Sequence, residues 1–219
     1  MAKRQFDLIV FDWDGTLMDS TATIVLCIQA AAKDLDLPVP SDEDAAHVIG
    51  LGLHEAMQSV LPGVDPGFYT RMVERYRHHY LDRGNDLVLF EGVPEMLQDL
   101  AQHGYFLAVA TGKSRIGLNR AMDQVGLLSA FHATRCADET FSKPHPAMLQ
   151  ELTRELGQDM ARTVMIGDTS HDLLMAKNAG AAGIGAQYGA HSLEKLNQCQ
   201  PLFCASNVPQ LHQWLNANA

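Results

Sequence analysis

The chain has 219 residues, 47% hydrophobic and 19% charged, which suits one domain, or one domain with an insertion, around a sizeable core. With 16 basic residues against 26 acidic ones its formal charge is −10, which tells against a general nucleic-acid or anionic-membrane binder. No apolar run approaches the ~20 residues of a membrane span, and the apolar stretch near the start is too short for a secretion signal. The cysteines Cys27, Cys136, Cys199 and Cys204 include no C-x-x-C pair, so a cytoplasmic protein with reduced thiols is expected.

Phe6-Asp7-Leu8-Ile9-Val10-Phe11 is a β-branched apolar run ending at Asp12, the pattern of a strand buried on both faces of a parallel sheet. After Gly15-Thr16 the period becomes helical: Ile24, Ile28, Ala31 and Leu35 form one stripe, with Ser20 as the expected N-cap. No strand pattern follows until about Phe90. Further helices are expected near 42–49, 54–60 and 66–83, separated by Gly50-Leu51-Gly52 and Leu61-Pro62-Gly63, so the stretch reads as an all-helical insertion. Strand–helix alternation then takes over. It runs through a helix from Pro94 to about Gly104, a strand over Tyr105 to Ala110, a helix from Ser114 to Val125 and a strand over Phe131 to Cys136. It continues with a helix from Pro146 to Leu156, a strand over Thr163 to Ile166 and a helix from His171 to Ala179 closed by Gly180. Ala182 to Gln187 is expected as the last strand, with a C-terminal helix from about Ser206. Such alternation indicates a parallel α/β sheet, and ligands bind such sheets beyond the carboxyl ends of the strands.

Four of those ends carry chemistry. Asp12-Trp13-Asp14-Gly15-Thr16 follows the first strand: one carboxylate is a competent nucleophile toward phosphorus, and a second can protonate the leaving oxygen and then deprotonate water. Asp and Gly also favour turns for backbone reasons alone, but four fixed residues in a window of five seldom coincide. Thr111-Gly112-Lys113-Ser114 offers a hydroxyl and helix N-terminal amides to phosphate oxygens, or an ordinary N-cap. Lys143, before the Pro146 helix, is positioned to hold a phosphoryl group and neutralise crowded carboxylates. Gly167-Asp168-x3-Asp172 places two more carboxylates around a turn into a helix, either as helix caps or as part of a hard-cation site, for which magnesium is suited. Four carboxylates gathered without a cation would repel one another.

The ordered set Asp12-x-Asp14-Gly15-Thr16, Thr111, Lys143 and Gly167-Asp168-x3-Asp172 resembles the haloacid dehalogenase superfamily, and more closely its phosphoglycolate-phosphatase-like branch with a helical cap. The resemblance implies a Rossmann-like core of residues 1–16 and 91–219 with strand order 3-2-1-4-5, and a helical cap over 17–90. It also implies magnesium-dependent hydrolysis of a small phosphorylated metabolite, such as 2-phosphoglycolate, through a phosphoaspartate. Asp12 becomes nucleophile and metal ligand, and Asp14 becomes general acid/base with its backbone carbonyl on the metal. Thr111 and Lys143 hold the phosphoryl group, Asp168 binds the metal, and Asp172 orients a metal-bound water or Lys143. Relatives that cleave carbon–halogen bonds lack the second acid, so Asp14 favours phosphoryl transfer. One position departs: many relatives have Asn where this chain has Gly112, next to the expected substrate contacts at Gly112 and Lys113.

Within the insertion, the loop from Val48 to His54 is the candidate for touching the leaving group, through Gly50 and either His47 or His54. Arg71, Arg75 and Arg77 are expected on a solvated helix face, and Trp13 is expected to pack away from the pocket because alternate strand side chains face opposite ways. The expected partner is a small phosphorylated substrate, the expected state a monomer or weak homodimer. A phosphosugar mutase of the same superfamily and a non-catalytic protein-binding regulator are the competing readings.

Overall fold

The computed structural model describes residues 5–83 and 87–219; the basic start of the chain and residues 84–86 of the expected insertion lie outside the described residues. Four apolar residues, all fully buried, make β1 (Leu8–Phe11). It pairs in parallel with β2 (Phe106–Thr111) on one side and β4 (Thr163–Gly167) on the other, so that Phe11 stands beside both Val109 and Ile166. With β3 (Ala133–Cys136), β5 (Ala182–Ala186) and β6 (Phe203–Ala205) the sheet runs β3-β2-β1-β4-β5-β6, all parallel. The expected order is present with one strand added at the edge. Ala182–Ala186 is therefore not the last strand: β6 has 3 residues, too few for any period to appear in the sequence.

Side-chain alternation along β1 divides the core. Ile9 and Phe11 join Met96, Leu97 and Leu100 of α5 (Val93–Gln102), Leu118 of α6 (Arg115–Gln124) and Leu211 and Leu215 of α10 (Val208–Asn218). Leu8 and Val10 face the other way, onto Met148, Leu149 and Leu152 of α7 (Ala147–Leu156) and Met175 of α8 (Ser170–Ala179). Each such fully buried side chain contributes roughly 1.5–3 kcal/mol. Trp13 continues the Ile9 and Phe11 side, edge-on to Phe131 with ring centroids 6.4 Å apart, which leaves Asp12 on the opposite side.

The helices between β1 and α5 are α1 (Thr21–Asp34), α2 (Asp42–His47), α3 (Leu53–Val60) and α4 (Pro66–Arg83). They bury a separate apolar cluster that includes Ile24, Ile28, Met57, Tyr69 and Met72. Ser41 caps α2 by accepting from the Asp44 N–H, but Ser20 does not cap α1: its hydroxyl is committed to Asp14. A further short helix, α9 (Leu193–Gln198), follows β5 and has no counterpart in the expected elements. Among the described residues, no helix is long and apolar enough to cross a membrane.

Candidate active site

The chain leaves β1 at Asp12, fully buried at the carboxyl end of a central strand. The Trp13 N–H donates to Asp12 Oδ1 at 2.6 Å, fixing the carboxylate against its own backbone. The turn that follows needs glycine: Gly15 has φ of 72°, and a Cβ there would stand 2.1 Å from Asp168 Oδ2. Asp168, delivered by the end of β4, is thereby held on both oxygens. Thr16 Oγ1 donates to its Oδ1 at 2.9 Å, and the Ala190 N–H, from the loop after β5, donates to its Oδ2 at 2.7 Å.

Asp172 does the work of a helix start and something more. Its Oδ2 accepts from the Thr169 N–H at 3.1 Å and Oγ1 at 2.7 Å, while its Oδ1 lies 2.6 Å from Lys143 Nζ. The ammonium, itself fully buried, is also 2.8 Å from Asp12 Oδ1. Carboxylate oxygens of Asp12, Asp168 and Asp172 all lie within 4.8 Å of one another, with one cation among them. Burial pushes Asp12 well above the usual carboxylate range against the pull of Lys143, and Asp172 and Asp168 add to the rise. Asp168 is pushed up to about 7, first by burial and then by Asp172. Burial alone would lower Lys143, but the carboxylates of Asp12 and Asp172 outweigh it and hold the ammonium charged.

Asp12 Oδ2 is buried and, among the described residues, has no hydrogen-bond partner. A lone acceptor beside the Asp168 carboxylate is what a hard cation requires, and oxygen donors of this type suit magnesium; Asp12 and Asp168 therefore fit a divalent cation. The carboxylate of Asp14 stands apart from these three. Its Oδ1 accepts from Ser20 Oγ at 2.7 Å, and its Oδ2 lies 3.0 Å from Lys113 Nζ. Lys113 in turn donates to Tyr80 Oη at 2.9 Å, with its ammonium 4.5 Å from the centre of that ring. Burial lowers Lys113 less than Asp14 and Tyr80 raise it, so it too stays charged.

Thr111 ends β2, buried, its Oγ1 accepting from the Lys113 N–H at 3.2 Å, and Ser114 caps α6 by accepting from the Gly117 N–H. Gly112 lies directly beneath the loop between α2 and α3. A Cβ at Gly112 would stand 2.4 Å from the Leu51 carbonyl oxygen and 2.6 Å from that of Gly50, which gives the glycine at this position a physical reason. The loop is tied down by the Gly52 N–H, which donates to Ser142 Oγ at 2.8 Å. A Cβ on Gly50 would lie 3.7 Å from Asp12 Oδ2, so this glycine sits over the carboxylate. Core and insertion together enclose a cavity of about 780 Å³ that reaches Asp12 and Asp14.

Residues 9–186 match the family model described as haloacid dehalogenase-like hydrolase. The chain belongs to that family. This haloacid dehalogenase-like hydrolase is 39% identical over 200 residues to "Probable phosphatase IndB" of Dickeya dadantii, spanning 89% of this chain and 86% of that one. It is 28% identical to the phosphoglycolate phosphatase of Vibrio parahaemolyticus, across 96% of each chain. A solved structure titled as a predicted phosphoglycolate phosphatase from Haemophilus somnus superposes with a TM-score of 0.85 at 26% identity, covering 95% of this chain and 97% of the other.

In this hydrolase the structure gathers Asp12, Asp168, Asp172 and Lys143 into one buried cluster, and sets Asp14, Thr111, Gly112 and Lys113 in the adjoining wall. The expectations for the insertion divide. His54 lines the cavity, its ring edge-on to Tyr69, whereas His47 turns away. The His47 carbonyl accepts from His171 Nε2 at 2.9 Å and His191 Nε2 at 3.2 Å, and its ring stacks on His191. Arg71, Arg75 and Arg77 are exposed, as expected of a solvated face; Arg77 also lines the cavity, while Arg71 lies over the Phe68 ring. Sequence reasoning missed Ser20, Tyr76, Tyr80 and Ala190. The two tyrosines stand four apart on helix α4 with rings stacked 5.7 Å apart, an aromatic pair at helical spacing that marks an inward face. Ala190 acts through its backbone, so no side-chain pattern reveals it.

Proposed function

We propose that this hydrolase is a magnesium-dependent phosphomonoesterase that works through an aspartyl phosphate on Asp12. The observation that carries the reading is the state of Asp12: one oxygen held by Lys143 and the Trp13 N–H, the other buried without a partner beside Asp168. Asp12, Asp168 and the backbone carbonyl of Asp14 would hold the cation, which supplies positive charge to the phosphoryl oxygens when bound.

The protein's own residues do the remainder. Lys143 and the Thr111 hydroxyl hold the phosphoryl oxygens, and Asp12 attacks phosphorus in line with the ester oxygen. As the bond from phosphorus to that oxygen breaks, Asp14 gives it a proton, so an alcohol leaves rather than an alkoxide. Water then attacks the phosphoaspartate, Asp14 takes back a proton, the bond between Asp12 and phosphorus breaks, and inorganic phosphate departs. Asp172 keeps Lys143 aimed at Asp12 through its 2.6 Å contact. The phosphatase names of relatives at 39% and 28% identity support the reaction class, and 2-phosphoglycolate is the first substrate they suggest.

The test is phosphate release from small phosphomonoesters with magnesium or chelator, in wild type and Asp12→Asn, together with the configuration at phosphorus after hydrolysis of an isotopically chiral phosphorothioate ester in isotope-labelled water. Expected are metal-dependent release, loss of release in the variant, and retention of configuration, the mark of two successive in-line displacements. Metal-dependent release with inversion at phosphorus would refute the covalent route. Conversion of a sugar phosphate to its isomer without release would turn the assignment to a mutase.

A further inference from the structure

We infer that the preferred substrate is a phosphomonoester whose leaving group carries an aromatic ring, not a two-carbon acid; the inference rests on the phosphatase reading above. The cavity reaching Asp12 and Asp14 measures about 780 Å³, within the range of sites that enclose drug-sized ligands. A glycolate leaving group would leave most of that space to water.

The chemistry of the walls points the same way. Ile24 and Ile28 of α1 face the cavity together with Val73, Tyr76 and Tyr80 of α4, and Ile116 stands at its edge 83% exposed. An isoleucine so exposed, continuous with a buried apolar wall, suits an apolar ligand reaching outward. The stacked Tyr76 and Tyr80 rings offer edges and faces to a third ring. A carboxylate placed next to the phosphoryl group, by contrast, would need a cation close to Asp14. Lys113 is the lysine there, and its ammonium is already shared between Asp14 Oδ2 and Tyr80 Oη. The guanidiniums of Arg77 and Arg120 line the same cavity, but both residues are exposed at its rim, where they can meet the solvated end of a long leaving group. The reaction is unchanged: the bond between phosphorus and the alkoxide oxygen breaks, water supplies the replacing oxygen, and the arylalkyl alcohol leaves protonated.

Initial rates with magnesium on ethyl phosphate, 2-phenylethyl phosphate, 3-phenylpropyl phosphate and 2-phosphoglycolate test this, since the first three vary size at similar leaving-group chemistry. kcat/KM for 3-phenylpropyl phosphate should exceed that for ethyl phosphate and for 2-phosphoglycolate by about 10-fold or more, given what one apolar contact is worth in a pocket. Ile116→Asp, at an exposed position that tolerates substitution, should raise KM for the phenylpropyl ester several-fold with little effect on kcat. Val73→Phe, which narrows the chamber, should lower the ratio of phenylpropyl to ethyl kcat/KM. Equal or better turnover of 2-phosphoglycolate, still lost in Asp12→Asn, overturns the inference and leaves the phosphatase reading standing. An aryl preference that neither variant alters also overturns it. No magnesium-dependent release from any ester removes both.

Discussion

Substituting Gly112 by alanine would test whether the loop between α2 and α3 must lie where the structure has it. The added Cβ would stand 2.4 Å from the Leu51 carbonyl oxygen and 2.6 Å from that of Gly50. An ordinary carbon–oxygen contact needs roughly 3.3 Å, so the shortfall against Leu51 is about 0.9 Å. Backbone stands on both sides of the clash, so no flexible side-chain tip can yield. The loop must rise by close to that distance, stretching the 2.8 Å bond from the Gly52 N–H to Ser142 and lifting Gly50 off Asp12. A misplacement of about 1 Å in a group that frames the reacting atoms costs on the order of 100-fold in rate. Overpacking costs about 1–3 kcal/mol of stability, and each kcal/mol lowers Tm by about 2–4 °C in a chain of this size. The assay pairs kcat/KM on the best phosphomonoester with a thermal melt: Gly112→Ala should lose about two orders of magnitude in activity while melting only a few degrees early. An alanine variant within twofold of wild type, with the loop unmoved in its crystal structure, would refute the steric reasoning.

Lys143→Met should be far more damaging to the fold. It leaves Asp12 and Asp172 buried without their cation, a loss of about 3–5 kcal/mol that a thermal melt reads directly, and added magnesium should restore part of it. An unchanged Tm would mean that the ion pairs do not hold this cluster together. Burial lowers the His191 imidazole to about 4, against about 6.5 for an unfolded histidine. Between those values the unfolded chain binds more protons, so the stabilisation is complete above about pH 6.5 and is lost as pH falls toward 4, by roughly 2 kcal/mol. Denaturant titrations across that window should show a shallower fall for His191→Gln than for wild type, and parallel curves would dismiss the histidine as the source.

The core was readable from the sequence because its central strands carry their own apolar signal and Asp12, Thr111 and Asp168 stand at or just past the ends of such strands, whereas Lys143 lies in the loop between β3 and α7. Leu8 to Phe11 is buried on both faces, so its composition alone marks it, and Asp12 falls at the end that a parallel sheet reserves for ligands. Strand β6 escaped because the 3 residues Phe203 to Ala205 add only an edge to a sheet already formed. Ser20 misled because the residue type that caps helices is also a good donor to a carboxylate, and Asp14 claimed it. The insertion was readable as helices but not as a surface. Which of its residues meet the cavity depends on how its helices pack: α4 brings Arg77 to the cavity, while the end of α2 turns His47 against His191 instead.

The way α2 ends against the core has a consequence for how such a protein can diversify. His171 and His191 both belong to the α/β part of the chain, and both direct their Nε2 protons at one main-chain oxygen, that of His47. From the helical side the clasp asks for a carbonyl at a helix end, a group that every amino acid brings. The side chain at position 47 can thus change without removing either hydrogen bond, losing only the stacking of its ring on His191. A lineage can rewrite its chamber for a new alcohol while the two histidines, and the chemistry they stand beside, stay as they were.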